Sequence, residues 1–196
     1  MNRLIVLHLL LSLVLTIAAC APEIEPEESC NFIQNSYSRR VSWGKVELKV
    51  GIEDKFPSQY YESLERAMKV WDQERPYNMF HGRPLILSSE NKDAVDIMLL
   101  WKEKWQSKPS EQAKTAVQSQ GDFIQKADIF FNANKTFSVN GEGGINMKSL
   151  MIHELGHALG LDHIDFPESV MYPTLPENME RTTLSAIEKE SLGCEY

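Results

Sequence analysis

Beyond residue 41 the chain reads as one domain that mixes short strands with helices, on three patterns. Val46-Glu-Leu-Lys-Val-Gly-Ile52 alternates apolar and polar side chains, the period of a half-buried strand. Leu64, Ala67, Met68 and Trp71 recur three and four apart, so all four lie on one face of a helix. His153 and His157, four apart in a run without proline, share a helix face in the same way.

The remaining elements follow in chain order. The helix of Leu64 to Trp71 comes after Pro57 and must stop before Pro76, because the residue preceding proline is pushed out of helical backbone. Its Met and Trp stripe is packing. Leu85–Leu87 and Val95–Trp101 are apolar runs that predict short, well-buried strands, and Ile129–Asn132 is another. A weaker strand lies around Thr115–Gln118. A second helix is expected from near Lys148 to Leu159. Ser185-x-x-Glu188 is a capping box that opens a last helix, with Gly193 as its stop.

Residues 1–19 read as a leader rather than as part of the fold. Arg3 supplies a positive start, Leu4 to Ile17 is apolar, and Ala18-Ala19 directly precede Cys20. Small residues before a cysteine resemble the bacterial lipobox, in which Cys20 carries lipid and becomes the mature N-terminus. Ordinary cleaved secretion and an uncleaved anchor are the alternatives, the apolar run being short for a span. The expectation is a lipid-anchored protein of the cell envelope. Ala21-Pro22 lacks the aspartate that often retains lipoproteins at an inner membrane, so an outer membrane is favoured where the host has one. Residues 20–41 then serve as tether and N-terminal segment, and 42–196 as the domain.

The chain carries 28 acidic against 20 basic residues, net −8, one unit more negative once Arg3 is removed. Such a balance argues against nucleic acid and against electrostatic docking on anionic lipid. With Cys20 assigned to lipid, Cys30 and Cys194 remain, near the two ends of the domain. In an oxidising envelope their expected use is a disulfide that clamps the ends, and two free thiols are the alternative.

Residues 153–163, His-Glu-Leu-Gly-His-Ala-Leu-Gly-Leu-Asp-His, carry the chemistry. Two imidazoles one turn apart can reach a single zinc ion at about 2.0–2.1 Å. Gly160 lets the chain leave the helix with positive φ and bring His163 back as a third ligand. Three neutral imidazoles leave a fourth tetrahedral position open, the mark of a catalytic rather than a structural site. Glu154 stands beside His153, placed to act on water as a general base without ligating the ion. The bare pair of histidines with its glutamate does arise by accident on ordinary helices. Three His, one Glu and one Gly at fixed offsets, in a chain with five His, are far more specific.

The string HExxHxxGxxH followed by Ser169-Val170-Met171-Tyr172-Pro173 resembles the metzincin zinc peptidases, whose third histidine is followed by a methionine turn. Val-Met-Tyr-Pro is similar to the Leu-Met-Tyr-Pro of the matrixins, the matrix-metalloproteinase branch. The astacin and serralysin branches place a zinc-ligating tyrosine at the position held here by Pro173. The likeness extends over roughly residues 42–193, strongest at 148–173. It implies an α+β fold, with a five-stranded mixed, twisted sheet over the zinc helix and about three helices. It implies one catalytic zinc on His153, His157 and His163, with Met171 in the turn. Pro173, Thr174 and Leu175 line the pocket for the residue after the cut, with an apolar preference there. An extended peptide would add to an exposed sheet edge, for which Thr115–Gln118 is the candidate.

The function expected is that of a monomeric endopeptidase acting on proteins or peptides. A non-hydrolytic zinc-bearing envelope lipoprotein and an aminopeptidase are the alternatives; the carboxylate of Glu154 speaks against the first, and no acidic pair serves a free amine for the second. The chain also departs from the family. No histidine cluster supplies a second zinc, His81 being isolated. Calcium is left open, since Gly121-Asp122 and Gly141–Gly144 offer few oxygen ligands. Leu175 stands where family members often have tyrosine. Glu-Ser-Cys30-Asn-Phe does not match the inhibitory Pro-Arg-Cys-Gly pattern, in which a cysteine becomes a fourth zinc ligand.

Overall fold

The structure, a computed structural model, describes residues 27–196. The apolar leader and Cys20 lie outside these residues. Strands β1 (Val50–Glu53), β2 (Leu85–Leu87), β3 (Ile97–Lys102), β4 (Ala113–Gln120) and β5 (Phe123–Asn132) form one sheet in the order β2-β1-β3-β5-β4. β2, β1, β3 and β5 run parallel, and β4 lies antiparallel on the outside of β5. Helix α1 (Tyr61–Asp72) packs on helix α2 (Met147–Ala158), and α2 lies against β4 and β5. Two-residue strands β6 (Phe137–Ser138) and β7 (Ile145–Asn146) pair in parallel and lead directly into α2. Helix α3 (Ala186–Leu192) closes the chain. The fold is α+β with a five-stranded mixed sheet, as the sequence predicts.

Four details differ from the sequence reading, each for a physical reason. The strand expected from Val46 begins only at Val50, because Glu47 takes a left-handed φ of 62° that ends extended pairing. Its residues do not alternate: Val50, Gly51, Ile52 and Glu53 are all buried, as suits an inner strand of a parallel sheet covered on both faces. The Leu85–Leu87 strand is not well buried. It forms the outer edge, leaving Leu85 and Ile86 exposed. β5 starts at Phe123 rather than Ile129. Lys126 and Asp128 interrupt its apolar pattern, yet both are buried and partnered. The Lys126 ammonium donates to the Lys92 and Val95 carbonyls, and Lys92 Nζ lies 2.5 Å from Asp128 Oδ2.

Aromatic donors stitch the helices together. Trp71 of α1, fully buried, donates its indole N–H to the Ile152 carbonyl of α2 at 3.0 Å. At the end of α2, where carbonyls lack helical partners, Trp43 Nε1 donates to Ala158 O at 2.8 Å and the Tyr196 hydroxyl to Leu159 O at 2.6 Å. The chain's first described segment meets its last. A disulfide joins Cys30 to Cys194, and Arg40 pairs with Glu27 and Glu195. Among the described residues no helix is long and apolar enough to cross a membrane.

Candidate metal centre and active-site groove

Helix α2 is started by Asn146, whose side chain accepts from Ser149 N at 2.9 Å, and it carries His153, Glu154 and His157 on adjacent turns. Gly160 then turns the chain with φ of 103°. Space as well as conformation requires glycine here, since a Cβ would stand 2.3 Å from the Val41 carbonyl oxygen. The turn returns His163 to the other two rings. His157 Nε2 lies 3.1 Å from His153 Nε2 and 3.2 Å from His163 Nε2.

Hydrogen bonding decides which ring nitrogens are free. His153 Nδ1 sits 2.7 Å from Val170 O, and His157 Nδ1 sits 2.8 Å from Leu161 O. A carbonyl only accepts, so each Nδ1 carries the hydrogen and each Nε2 presents a lone pair. Burial pushes the His153 imidazole down to about 3 and His157 down to about 4, with neighbouring imidazoles adding to the shift. Both rings are neutral donors at neutral pH. Converging lone pairs at these separations repel unless a cation lies between them. A tetrahedral ion with bonds of about 2.0–2.1 Å holds its nitrogens about 3.3–3.4 Å apart. The three side chains fit zinc, and among the described residues they are the one cluster of His, Cys, Asp and Glu close enough to share an ion.

Glu154 is 4% exposed at the floor of the groove. Thr115 Oγ1 of β4 donates to Glu154 Oε2 at 2.6 Å and lies 3.2 Å from its main-chain oxygen. Burial raises the Glu154 carboxyl to about 7; the Thr115 hydroxyl opposes that rise and the charge of Glu111 adds to it. A carboxylate poised near neutrality suits proton transfer.

Met171 is fully buried with its sulfur against Gly156, the residue just before the second histidine. A Cβ at Gly156 would stand 2.3 Å from Met171 Sδ and 2.9 Å from Trp71 Cζ2. Only glycine admits this approach. Above, Ser169 Oγ donates to Glu188 Oε1 and accepts from Met171 N at 2.9 Å. The other Glu188 oxygen completes the capping box of α3 by accepting from Ser185 N at 2.7 Å. One carboxylate therefore starts the last helix and braces the methionine turn.

The groove over these residues has a volume of 870 Å³. It is lined by residues of β4, by Tyr172 to Pro176, and by the three histidines and Glu154. Pro173, Thr174 and Leu175 all line it, and Leu175 is the one that reaches the core. That wall is fastened by Gln112 Nε2 donating to Leu175 O at 2.7 Å and by Arg181 Nη1 donating to Thr174 O at 2.6 Å. Cys30 is joined to Cys194 and is not among the groove's lining residues.

Sequence reading singled out the three histidines, Glu154, Met171 and the 173–175 wall. It missed Thr115 as the partner of Glu154, Gly156 as the seat of Met171, and Glu188 as the brace of Ser169. The capping box pointed at Glu188 for another reason; nothing in the sequence joins Thr115 to Glu154.

Comparison with known proteins agrees with this geometry. The matrixin family model matches residues 42–192. Matrix metalloproteinase-15 of Homo sapiens is 34% identical over 125 residues, which are 57% of this chain and 18% of that protein. Stromelysin-2 of Rattus norvegicus is 29% identical over 129 residues, 57% of this chain and 22% of that protein. Matrilysin of Felis catus is 48% identical over 48 residues, 24% of this chain and 18% of that protein. The matches thus span about a fifth of the length of these relatives. With the family model running from residue 42 to the end of the last helix, this chain belongs to the matrixin family.

Proposed function

We propose that the protein is a zinc-dependent endopeptidase that hydrolyses internal bonds of proteins or peptides. The observation that carries this reading is the convergence of three Nε2 lone pairs beside a Thr115-held carboxylate on the floor of a groove. Zinc held by His153, His157 and His163 supplies Lewis acidity, making water more acidic and a carbonyl more electrophilic. Glu154 takes the proton of the attacking water and passes it to the leaving amine. Thr115 holds Oε2, which leaves Oε1 without a protein partner among the described residues and available for that transfer. Trp71, Val170 and Leu161 keep the helix and both Nδ1–H groups in register. The groove's lining takes in Leu175 and Ile33 as well as the histidines, so it reaches beyond the three imidazoles, as the binding of a chain requires. β4, with no strand on its outer side among the described residues, supplies the edge to which an extended substrate adds.

The test is cleavage of an unbiased peptide library by the zinc-loaded protein and by Glu154→Gln. The expected result is internal cuts by the unaltered chain, with cleavage reduced about 10²–10⁴-fold in the variant while one zinc is still bound. A variant that binds zinc and still cuts removes Glu154 from the mechanism. Absence of cuts by the unaltered, zinc-loaded chain overturns the endopeptidase reading.

We also propose that Cys20 is lipidated and holds the enzyme at an extracytoplasmic membrane surface of a bacterial envelope. Support comes from Arg3, the apolar run Leu4–Ile17 and Ala18-Ala19 before the cysteine. In the native host, Cys20→Ser should move the protein from the membrane to the soluble fraction; unchanged partition would rule the anchor out.

A further inference from the structure

The loop that enters β4 brings into the groove's lining one acidic side chain that the candidate metal centre does not use. Glu111 lies in the connection from β3 to β4 and lines the groove with Ser110, Gln112 and Glu154. Its backbone is fixed. Glu111 N donates to Lys108 O at 3.0 Å, and Glu111 O accepts from Asn132 Nδ2 at 2.9 Å. The next residue is fixed as well: Gln112 Nε2 donates to Leu175 O, and Gln112 O accepts from Asn132 N at 2.9 Å.

The Glu111 carboxylate has no counter-charge. Its Oε2 is buried without a hydrogen-bond partner, and among the described residues Glu111 joins no ion pair. An acceptor withdrawn from water without a donor is costly, and a cation that reaches the group offsets the cost. The charge of Glu111 also acts on the Glu154 carboxyl, so the two carboxylates lie within electrostatic reach of one another. Other charged groups of the lining are committed or turned away. Glu154 is held by Thr115, and Asp162 Oδ1 accepts from His163 N at 2.7 Å. Lys114 precedes Thr115 in β4, so the two side chains leave opposite faces of the strand.

We propose that Glu111 selects substrates with lysine or arginine at the second or third residue after the scissile bond. The proposal rests on the endopeptidase reading, in which Pro173–Leu175 takes the residue directly after the cut. Thr115 stands at the level of the cut through its contact with Glu154. Gln112 meets Leu175, so the chain running back from Thr115 to Glu111 leads to the side of the residues after the cut. Glu111 is four positions from Thr115, at most about 13–14 Å at strand spacing, which an extended peptide covers in its next few residues. An ammonium or guanidinium there gains a charge-assisted hydrogen bond to the unpaired carboxylate. The net charge of −8 favours the approach of a basic substrate as well.

The experiment profiles library cleavage by the zinc-loaded full chain, Glu111→Gln and Glu111→Lys. Glu103→Gln, an exposed change in the same connection outside the groove's lining, is the control. Each protein is then read by a ratio: kcat/KM for a peptide with arginine at the enriched position over kcat/KM for the same peptide with glutamine there. Expected is enrichment of lysine and arginine at one of the two positions for the unaltered chain. The ratio should fall about tenfold in Glu111→Gln, chiefly through KM. In Glu111→Lys the preference should turn over to glutamate, which a merely structural role for Glu111 would not produce. Glu103→Gln should keep the unaltered ratio. No basic enrichment, an unchanged ratio in Glu111→Gln, or an equal fall in Glu103→Gln overturns the selectivity and leaves the endopeptidase reading standing. No cut by the unaltered chain overturns both.

Discussion

At the scale of single residues, the site is held by neighbouring groups: the Val170 and Leu161 carbonyls orient His153 and His157, and a hydroxyl orients Glu154. Thr115 is the clearest case. Its hydroxyl holds Glu154 Oε2 at 2.6 Å, and its removal leaves a buried carboxylate free to rotate. Thr115→Val should lower kcat about 10–100-fold with zinc stoichiometry unchanged; kcat within twofold of the unaltered enzyme would remove Thr115 from the machinery. Gly156 is the steric counterpart. A methyl group there meets Met171 Sδ at 2.3 Å, so Gly156→Ala should cost about 1–3 kcal/mol through overpacking. Thermal unfolding should show a midpoint lower by about 2–12 °C. The metal set was legible in the sequence because all three histidines and Glu154 fall within eleven consecutive residues, where helix period and one glycine turn dictate the geometry. Thr115, thirty-nine positions from its partner, was not, because β4 must first be laid beside α2.

At the scale of elements, α3 is more than a terminal helix. Its first turn carries Glu188, fully buried, whose two oxygens serve Ser185 and Ser169. The strand of residues it braces also carries Val170 O, the acceptor that orients His153. Glu188→Ala should cost about 2–4 kcal/mol by stranding buried donors. It should also weaken zinc binding about 10–100-fold through the loosened acceptor. Lys189→Ala, in the same helix but half exposed and paired with Glu74 at the surface, should leave both quantities nearly unchanged. Equal effects from the two substitutions would show that only helix content matters. Helices were legible where an apolar stripe or a cap marked them. The strands were less so. A four-residue inner strand buried on both faces has no alternation to detect, and buried Lys126 and Asp128 disguise the first half of β5.

At the scale of the molecule, two closures hold the domain. The Cys30–Cys194 bond spans 164 positions and ties the groove's N-terminal wall to α3. Replacing both cysteines by serine should lower stability by about 2–5 kcal/mol, the upper figure coming from loop entropy for so long a closure. Urea unfolding measures it; an unchanged midpoint would mean the hydrogen bonds of Asn31 and Ile33 suffice. The second closure would be the proposed zinc. Three imidazoles from α2 and the turn after it converge, so zinc binding to the folded state alone should stabilise it, by about 4 kcal/mol at a thousandfold excess over Kd. Melting with and without a chelator reads this directly, and identical curves would remove His153, His157 and His163 as a ligand set.

By itself the sequence determined the class of fold and pointed to the proposed chemistry. The ligands, the base and the methionine turn lie close together along the chain, where helix period and a positive-φ glycine act locally. The mixed α+β character followed from the periodicity of a few segments and the likeness they carry. The tertiary structure alone decided how the groove is built. Thr115 against Glu154, Gly156 beneath Met171 and Glu188 behind Ser169 are meetings of residues apart in the chain. Packing brings them together, and no local pattern records it.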